Sequence, residues 1–164
     1  LLGSSLFSAQ LAAAKGLPYA FASHFAPRML HQAIALYRQL FQPSAQLDKP
    51  YVIVGVPVIA APTDAEADFL ASSTYQRVLG ILTGQRGRLQ PPVEHYMASL
   101  GHQEKAAIQD FLAMGVVGGP ERMRAGLWSI AQATQADELM LVSDVYDPAL
   151  RLRSLEITAQ AAIW

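Results

Sequence analysis

The chain has 164 residues, enough for one domain with its own core, and 52% of them are hydrophobic against 15% charged, so part of its surface is expected to face another protein segment. A net charge of -1 without a basic run argues against a nucleic-acid surface. The absence of cysteine excludes disulfides and thiolate metal sites and fits a reducing compartment, with the cytoplasm as the expected location.

Leu1 to Gly3 read as the end of a strand, and Gly3-Ser4-Ser5 as a turn into a helix that starts on serines and runs to Lys15. Gly16 suits the left-handed position just past a helix, Leu17 the hydrophobic contact that follows it, and Pro18 blocks continuation. Tyr19 to Ala22 predict a second strand. Pro27 suits a first helical position, and Leu30, Ala33, Ile34, Tyr37, Leu40 and Phe41 then recur at the spacing of an amphipathic helix. A polar connection from Gln42 to Lys49 leads to Tyr51 to Val56, whose two-sided apolar character suits a buried parallel strand. Pro57 cannot donate to a ladder and predicts a bulge or an irregular strand end. The apolar run from Tyr51 to Pro62 is too short to cross a bilayer as a helix, and no membrane span is expected.

Thr63 and Glu66 have capping-box spacing at the head of a helix from Asp64 to Leu82. Gly84 to Pro92, with Arg86 and Arg88, read as an exposed loop. A short helix follows from Gln103 to Leu112, with Ala106, Ala107, Phe111 and Leu112 on its apolar side. In Val116 to Glu121, Gly119 caps and Pro120 opens a helix whose stripe is Met123, Leu127, Ile130 and Ala131. Glu138 to Ser143 predict the last strand. Asp147-Pro148 then open a final helix with Leu152, Leu155, Ala159 and Ile163 on its buried stripe. The alternation predicts about four parallel strands with flanking helices and right-handed crossovers.

A Gly/Ser turn at a helix N-terminus brings unpaired N–H groups and the positive end of the dipole together, which suits a phosphate; a serine there also serves simply as an N-cap. Both readings of Ser4 and Ser5 are open from the residues alone. His24, with Ser23 and Phe25, would sit at a strand's carboxyl end, where it could donate a proton or be held by loop backbone. The four histidines lack carboxylates at ligand spacing, so no metal site is expected. No Gly-x-Ser-x-Gly elbow or Gly-x-Gly-x-x-Gly turn is present.

The ordered pattern Gly3-Ser4-Ser5, an Ala-rich helix, Gly16-Leu17-Pro18-Tyr19-Ala20-Phe21 and Ala22-Ser23-His24-Phe25 resembles the bacterial luciferase-like monooxygenases. The element Gly118-Gly119-Pro120-Glu121 agrees with it. The resemblance implies the C-terminal half of a (β/α)8 barrel, with residues 1–164 as a single partial domain and residues 84–115 as an inserted loop and short helix. It implies that Gly3, Ser4, Ser5 and Ser8 hold the phosphate of FMN and that Ser23, His24 and Phe25 line a substrate pocket. The luciferases proper carry a glutamate where Ser4 stands, so a role resting on that carboxylate does not transfer. The implied reaction uses reduced FMN, supplied by a flavin reductase or NAD(P)H, and oxygen to oxidise a small organic substrate.

Four strands of a barrel leave open edges and an unpacked inner face. The expected partner is therefore the missing N-terminal half or a second copy in a homo-oligomer, and this half alone is expected to be inactive. Two further readings stand beside this one: a non-catalytic half-barrel that self-associates or binds flavin, and a relative that uses a deazaflavin.

Overall fold

In a computed structural model that describes residues 1–162, the chain divides into two compact units. Ile163, expected on the last buried stripe, lies outside the described residues. The first unit is Leu1–Val56 with Ser129–Leu141, and the second is Pro57–Trp128 with the chain from Val142 onward. No helix among the described residues is long and apolar enough to cross a membrane.

In the first unit β1 (Leu2–Gly3) pairs in parallel with β2 (Tyr19–Phe21), and β2 pairs in parallel with the start of β3 (Val52–Ala60). Gly3 stands opposite Phe21, and Phe21 opposite Val54. β1 leads through the turn at Ser4 into α1 (Leu6–Ala14), whose Ala9, Ala12 and Ala13 are buried. Three small side chains let α1 lie close on α2 (Leu30–Leu40), which buries Leu30, Ala33, Ile34 and Tyr37 and is preceded by a 3-10 turn at Pro27–Met29. Leu40, expected on the buried stripe, is exposed at the last turn of α2. The end of α1 is a Schellman motif: the Leu17 N–H donates to Ala12 O at 3.0 Å and the Gly16 N–H to Ala13 O at 3.2 Å, with Gly16 at φ +60°. Asp137, which leads into β5 (Glu138–Val142), accepts the Val52 N–H at 2.7 Å and donates its own N–H to Val52 O at 2.9 Å. β5 pairs with β3.

The second unit takes the rest of β3, which pairs in parallel with β4 (Val116–Gly118), Val58 opposite Val116 and Ala60 opposite Gly118. Its core gathers Ile59, Ala61 and Val145 against Ala67, Leu70 and Ala71 of α3 (Asp64–Leu82). The Thr63 side chain caps α3 by accepting the Glu66 N–H at 3.2 Å. Residues 84–115 contain the exposed Gly84–Pro92 connection and two short helices, α4 (Tyr96–Ser99) and α5 (His102–Phe111). α6 (Pro120–Thr134) buries Met123 and Leu127, and its entry is fixed by Asp64, whose Oδ1 accepts the Gly119 N–H at 2.7 Å.

Four further expectations differ from the structure. Pro57 neither bulges nor ends β3: it falls between the residues paired with β2 and those paired with β4, so its missing N–H takes nothing from either ladder. Val116–Gly118, expected only as part of the entry to a helix, form a strand, which brings the strand total among the described residues to five. In α5 the buried side chain is Ile108, whereas Ala106 is exposed.

In α7 (Pro148–Ala161) the buried face carries Ser154, Thr158 and Ala161, while Leu152 is 61% exposed and Ala159 lies outward. The cause is a hydrogen bond. Ser154 Oγ accepts the Ala60 N–H at 2.7 Å, and Thr158 Oγ donates to Ser154 O at 2.7 Å. A face of small residues brings α7 close enough to finish the end of β3, and that leaves the leucines outside. Ser154→Ala would strand a buried N–H and is expected to cost about 1–3 kcal/mol. Denaturant unfolding checks this, and a loss under about 0.5 kcal/mol would contradict it.

Candidate functional site

All the residues expected in the site lie in the first unit, at the carboxyl ends of two adjacent parallel strands. The Ala22 N–H donates to Gly3 O at 2.8 Å, so the turn after β1 and the segment after β2 leave the sheet side by side. Active sites of parallel α/β folds are built at this end of the strands, because the loops and helix N-termini there are free of the ladder.

The turn is shaped by Gly3 and closed by Ser8. A Cβ on Gly3 would lie 2.3 Å from both Cβ and Oγ of Ser8, so only glycine admits that serine beneath the turn. Ser5 is the N-cap of α1: its Oγ accepts the Ser8 N–H at 3.2 Å, and its own N–H donates to Ser8 Oγ at 3.2 Å. This is a capping box in which a serine takes the place usually held by Glu or Gln. A smaller residue at that position keeps a carboxylate away from the turn, and the first turn of α1 contains no acid at all. The positive end of the helix dipole is therefore left without a compensating side chain. Ser4 is half-buried, and its hydroxyl has no hydrogen-bond partner among the described residues. The N–H groups of Leu6 and Phe7, in the first turn, precede the first intrahelical acceptor. A hydroxyl donor, two backbone donors and no negative charge make a set that fits a phosphate.

Beneath the turn lies Tyr19 of β2, fully buried. Its hydroxyl is 3.0 Å from Ser8 Oγ and donates to Ser5 O at 3.2 Å. Burial raises the phenol's pKa above its ordinary value, and the hydrogen bond with Ser8 acts against that shift.

After β2, Ser23 is fully buried and its hydroxyl donates to Gly55 O of β3. It locks the end of β2 to β3 rather than facing outward. The His24 ring lies against β3 at the same glycine: a Cβ on Gly55 would come within 3.1 Å of His24 Nδ1 and 3.3 Å of Phe21 O. The rings of His24 and Phe25 are 4.2 Å apart between centroids, and Phe25 is 65% exposed. The expected trio thus divides into a buried tie, Ser23, a half-buried ring packed against β3, His24, and an exposed ring, Phe25. Among the described residues no group of three or more His, Asp or Glu side chains could hold a metal ion.

Tyr19 and Gly55 are not singled out by the sequence. The available signal for Tyr19 is that a tyrosine at an inward strand position must find a partner for its hydroxyl. Nothing comparable marks Gly55.

The sequence profile of the luciferase-like monooxygenases matches residues 1–137. The chain belongs to the luciferase-like monooxygenase family. A luciferase-like monooxygenase of Escherichia coli K12 is 46% identical over 157 residues, which cover 96% of this chain and 47% of the relative. The crystal structure of apo-MsnO8 superposes with a TM-score of 0.86 at 36% identity, over 98% of this chain and 49% of that one. The oxygenating constituent of 3,6-diketocamphane monooxygenase from Pseudomonas putida, solved in complex with FMN, shares the fold with a TM-score of 0.63 at 19% identity, over 98% of this chain and 46% of that one. The chain spans about half the length of the luciferase-like relatives it matches, and its alternation of parallel strands and helices is that of a half-barrel.

Proposed function

We propose that this chain is the C-terminal half of a flavin-dependent monooxygenase that uses reduced FMN and oxygen to oxidise a small organic substrate. The observation that carries this reading is the Gly3-Ser4-Ser5 turn, with an unengaged Ser4 hydroxyl at an acid-free helix N-terminus, beside His24 and Phe25 on the neighbouring strand end. Family membership and a family fold solved with FMN support it.

In this reading Gly3, Ser4, Ser5 and Ser8 form the phosphate turn. Reduced FMN, delivered by a reductase or generated with NAD(P)H, supplies the electrons for oxygen chemistry. Phe25 gives an apolar wall that excludes water, His24 offers an imidazole to hydrogen-bond the substrate or move a proton, and Ser23 holds both in place through Gly55.

The partner required is the other half of the barrel. β1 is an edge strand in its unit, and Leu2 at 65% and Phe7 at 71% exposure stand on β1 and α1. Covering them with a preceding strand and helix in the same polypeptide satisfies both the free edge and the apolar surface. Residues 84–115 are the insertion between the third strand-helix unit and the last.

The test is a pair of titrations in the full natural polypeptide. A hydrogen bond to a charged phosphate is worth about 1.5–3 kcal/mol, so Ser4→Ala is expected to weaken FMN by roughly 10- to 100-fold. Riboflavin, which lacks the phosphate, should change by less than about twofold. Equal losses for the two flavins would remove Ser4 from the phosphate site.

A further inference from the structure

Within the phosphate turn proposed above, on which this inference rests, Ser8 and Ser4 cannot play the same part. A serine hydroxyl has one proton and two acceptor sites. Ser8 gives its proton to Ser5 O at 2.7 Å and accepts the Ser5 N–H at 3.2 Å, and the Tyr19 hydroxyl shares its one proton between the remaining lone pair of Ser8 Oγ at 3.0 Å and Ser5 O at 3.2 Å. Its capacity is filled by the protein. Ser5 O is likewise crowded, by Ser8 Oγ at 2.7 Å, the Tyr19 hydroxyl at 3.2 Å and the Ala9 N–H at 3.2 Å. The Ser5 hydroxyl is different: it accepts the Ser8 N–H at 3.2 Å, and its nearest internal acceptor, Ser8 Oγ, is a long 3.3 Å away.

We infer that Tyr19 is a positioning residue for flavin phosphate, acting through Ser8. The phenol hydroxyl and Ser8 draw the Ser5 carbonyl inward, and the peptide that follows is thereby turned with its N–H outward. Ser4 and Ser5 then present hydroxyl protons, and Leu6 and Phe7 present N–H groups, on the outer side of the turn. Ser8 belongs to the clamp as well as to the turn.

Tyr19 is suited to this by its surroundings. Its ring is held edge-on against Phe21 at 6.2 Å and tilted against Tyr37 at 5.2 Å between centroids, so the hydroxyl has a fixed place under the turn. Removing the hydroxyl alone, in Tyr19→Phe, leaves that packing intact.

The experiment measures Kd for FMN and for riboflavin in the full natural polypeptide, in Tyr19→Phe, Ser8→Ala and the double variant. Loss of one neutral hydrogen bond corresponds to about a fivefold effect, so Tyr19→Phe is expected to lower the FMN-to-riboflavin preference by about that factor. The double variant should lose no more than Ser8→Ala alone, because the phenol acts through the serine. A general loosening of the fold would weaken both flavins equally, and that result overturns the inference. A strong preference for FMN in the unmodified protein that Tyr19→Phe leaves unchanged overturns the role of Tyr19 and leaves the phosphate site standing. No preference for FMN in the unmodified protein overturns the phosphate site, and the role of Tyr19 with it.

Discussion

Gly3→Ala is expected to break the turn from within and to lower FMN affinity by at least about tenfold, through loss of charge-assisted donors to the phosphate. The added carbon would sit 2.3 Å from Ser8 Cβ and Oγ, far inside contact distance. Ser8 Cβ is one bond from the backbone of α1, so no rotamer relieves the clash. The first turn of α1 must move away from β1, and the capping box between Ser5 and Ser8 opens with it. Overpacking of this kind costs about 1–3 kcal/mol and loss of the cap about 1 kcal/mol more. Flavin titration and denaturant unfolding read the two consequences separately. Gly87→Ala, at a loop position with nothing within 4 Å, is the control and should change stability by less than about 0.5 kcal/mol. A Gly3→Ala protein that binds FMN as tightly as the unmodified one would show that the turn is not the phosphate seat.

Gly16→Ala is expected to cost the first unit stability through both backbone strain and a clash. Gly16 sits at φ +60°, where a side chain costs about 1–2 kcal/mol, and it ends α1 in the Schellman motif. The space is occupied as well. A Cβ there would lie 2.5 Å from Ser44 Cβ and 2.6 Å from Gln42 O. The Gln42 peptide cannot withdraw easily, because its N–H donates to Ala13 O at 3.0 Å, and Ser44 Oγ donates to Gly16 O at 2.9 Å. Strain and clash together predict a loss of about 2–4 kcal/mol, read as a fall in the denaturant midpoint at constant slope. A change under about 1 kcal/mol would contradict the tight docking of the 42–47 connection on the end of α1.

The parts of this fold that can be read from sequence are those settled by short-range chemistry. Gly16-Leu17-Pro18 stops a helix by the conformation each residue favours, Thr63 caps α3 from its own side chain, and Asp147 caps α7 by accepting the Ala149 and Leu150 N–H groups at 2.8 and 3.0 Å. Ser5 belongs with them, since its partner Ser8 is three residues away. The parts that cannot be read depend on residues far apart in the chain. Val116–Gly118 become a strand only because Val58–Ala60 lie beside them. The face of α7 is chosen by Ser154 reaching Ala60, against a leucine pattern that points the other way.

The same division runs through the site. The Gly3-Ser4-Ser5 turn and the His24-Phe25 pair stand out as residues at strand ends. The clamp under the turn and the glycine against which His24 lies join segments that sequence order keeps apart: Tyr19 with Ser8, and Gly55 with His24. Composition gives no hint of either.

The turn after β1 is the proposed seat for flavin phosphate. Equilibrium titration of the full natural polypeptide with FMN and with riboflavin, followed by flavin fluorescence, tests it most directly. Several charge-assisted hydrogen bonds to the phosphate predict that FMN binds at least about tenfold more tightly than riboflavin. Equal affinities for the two would contradict the account.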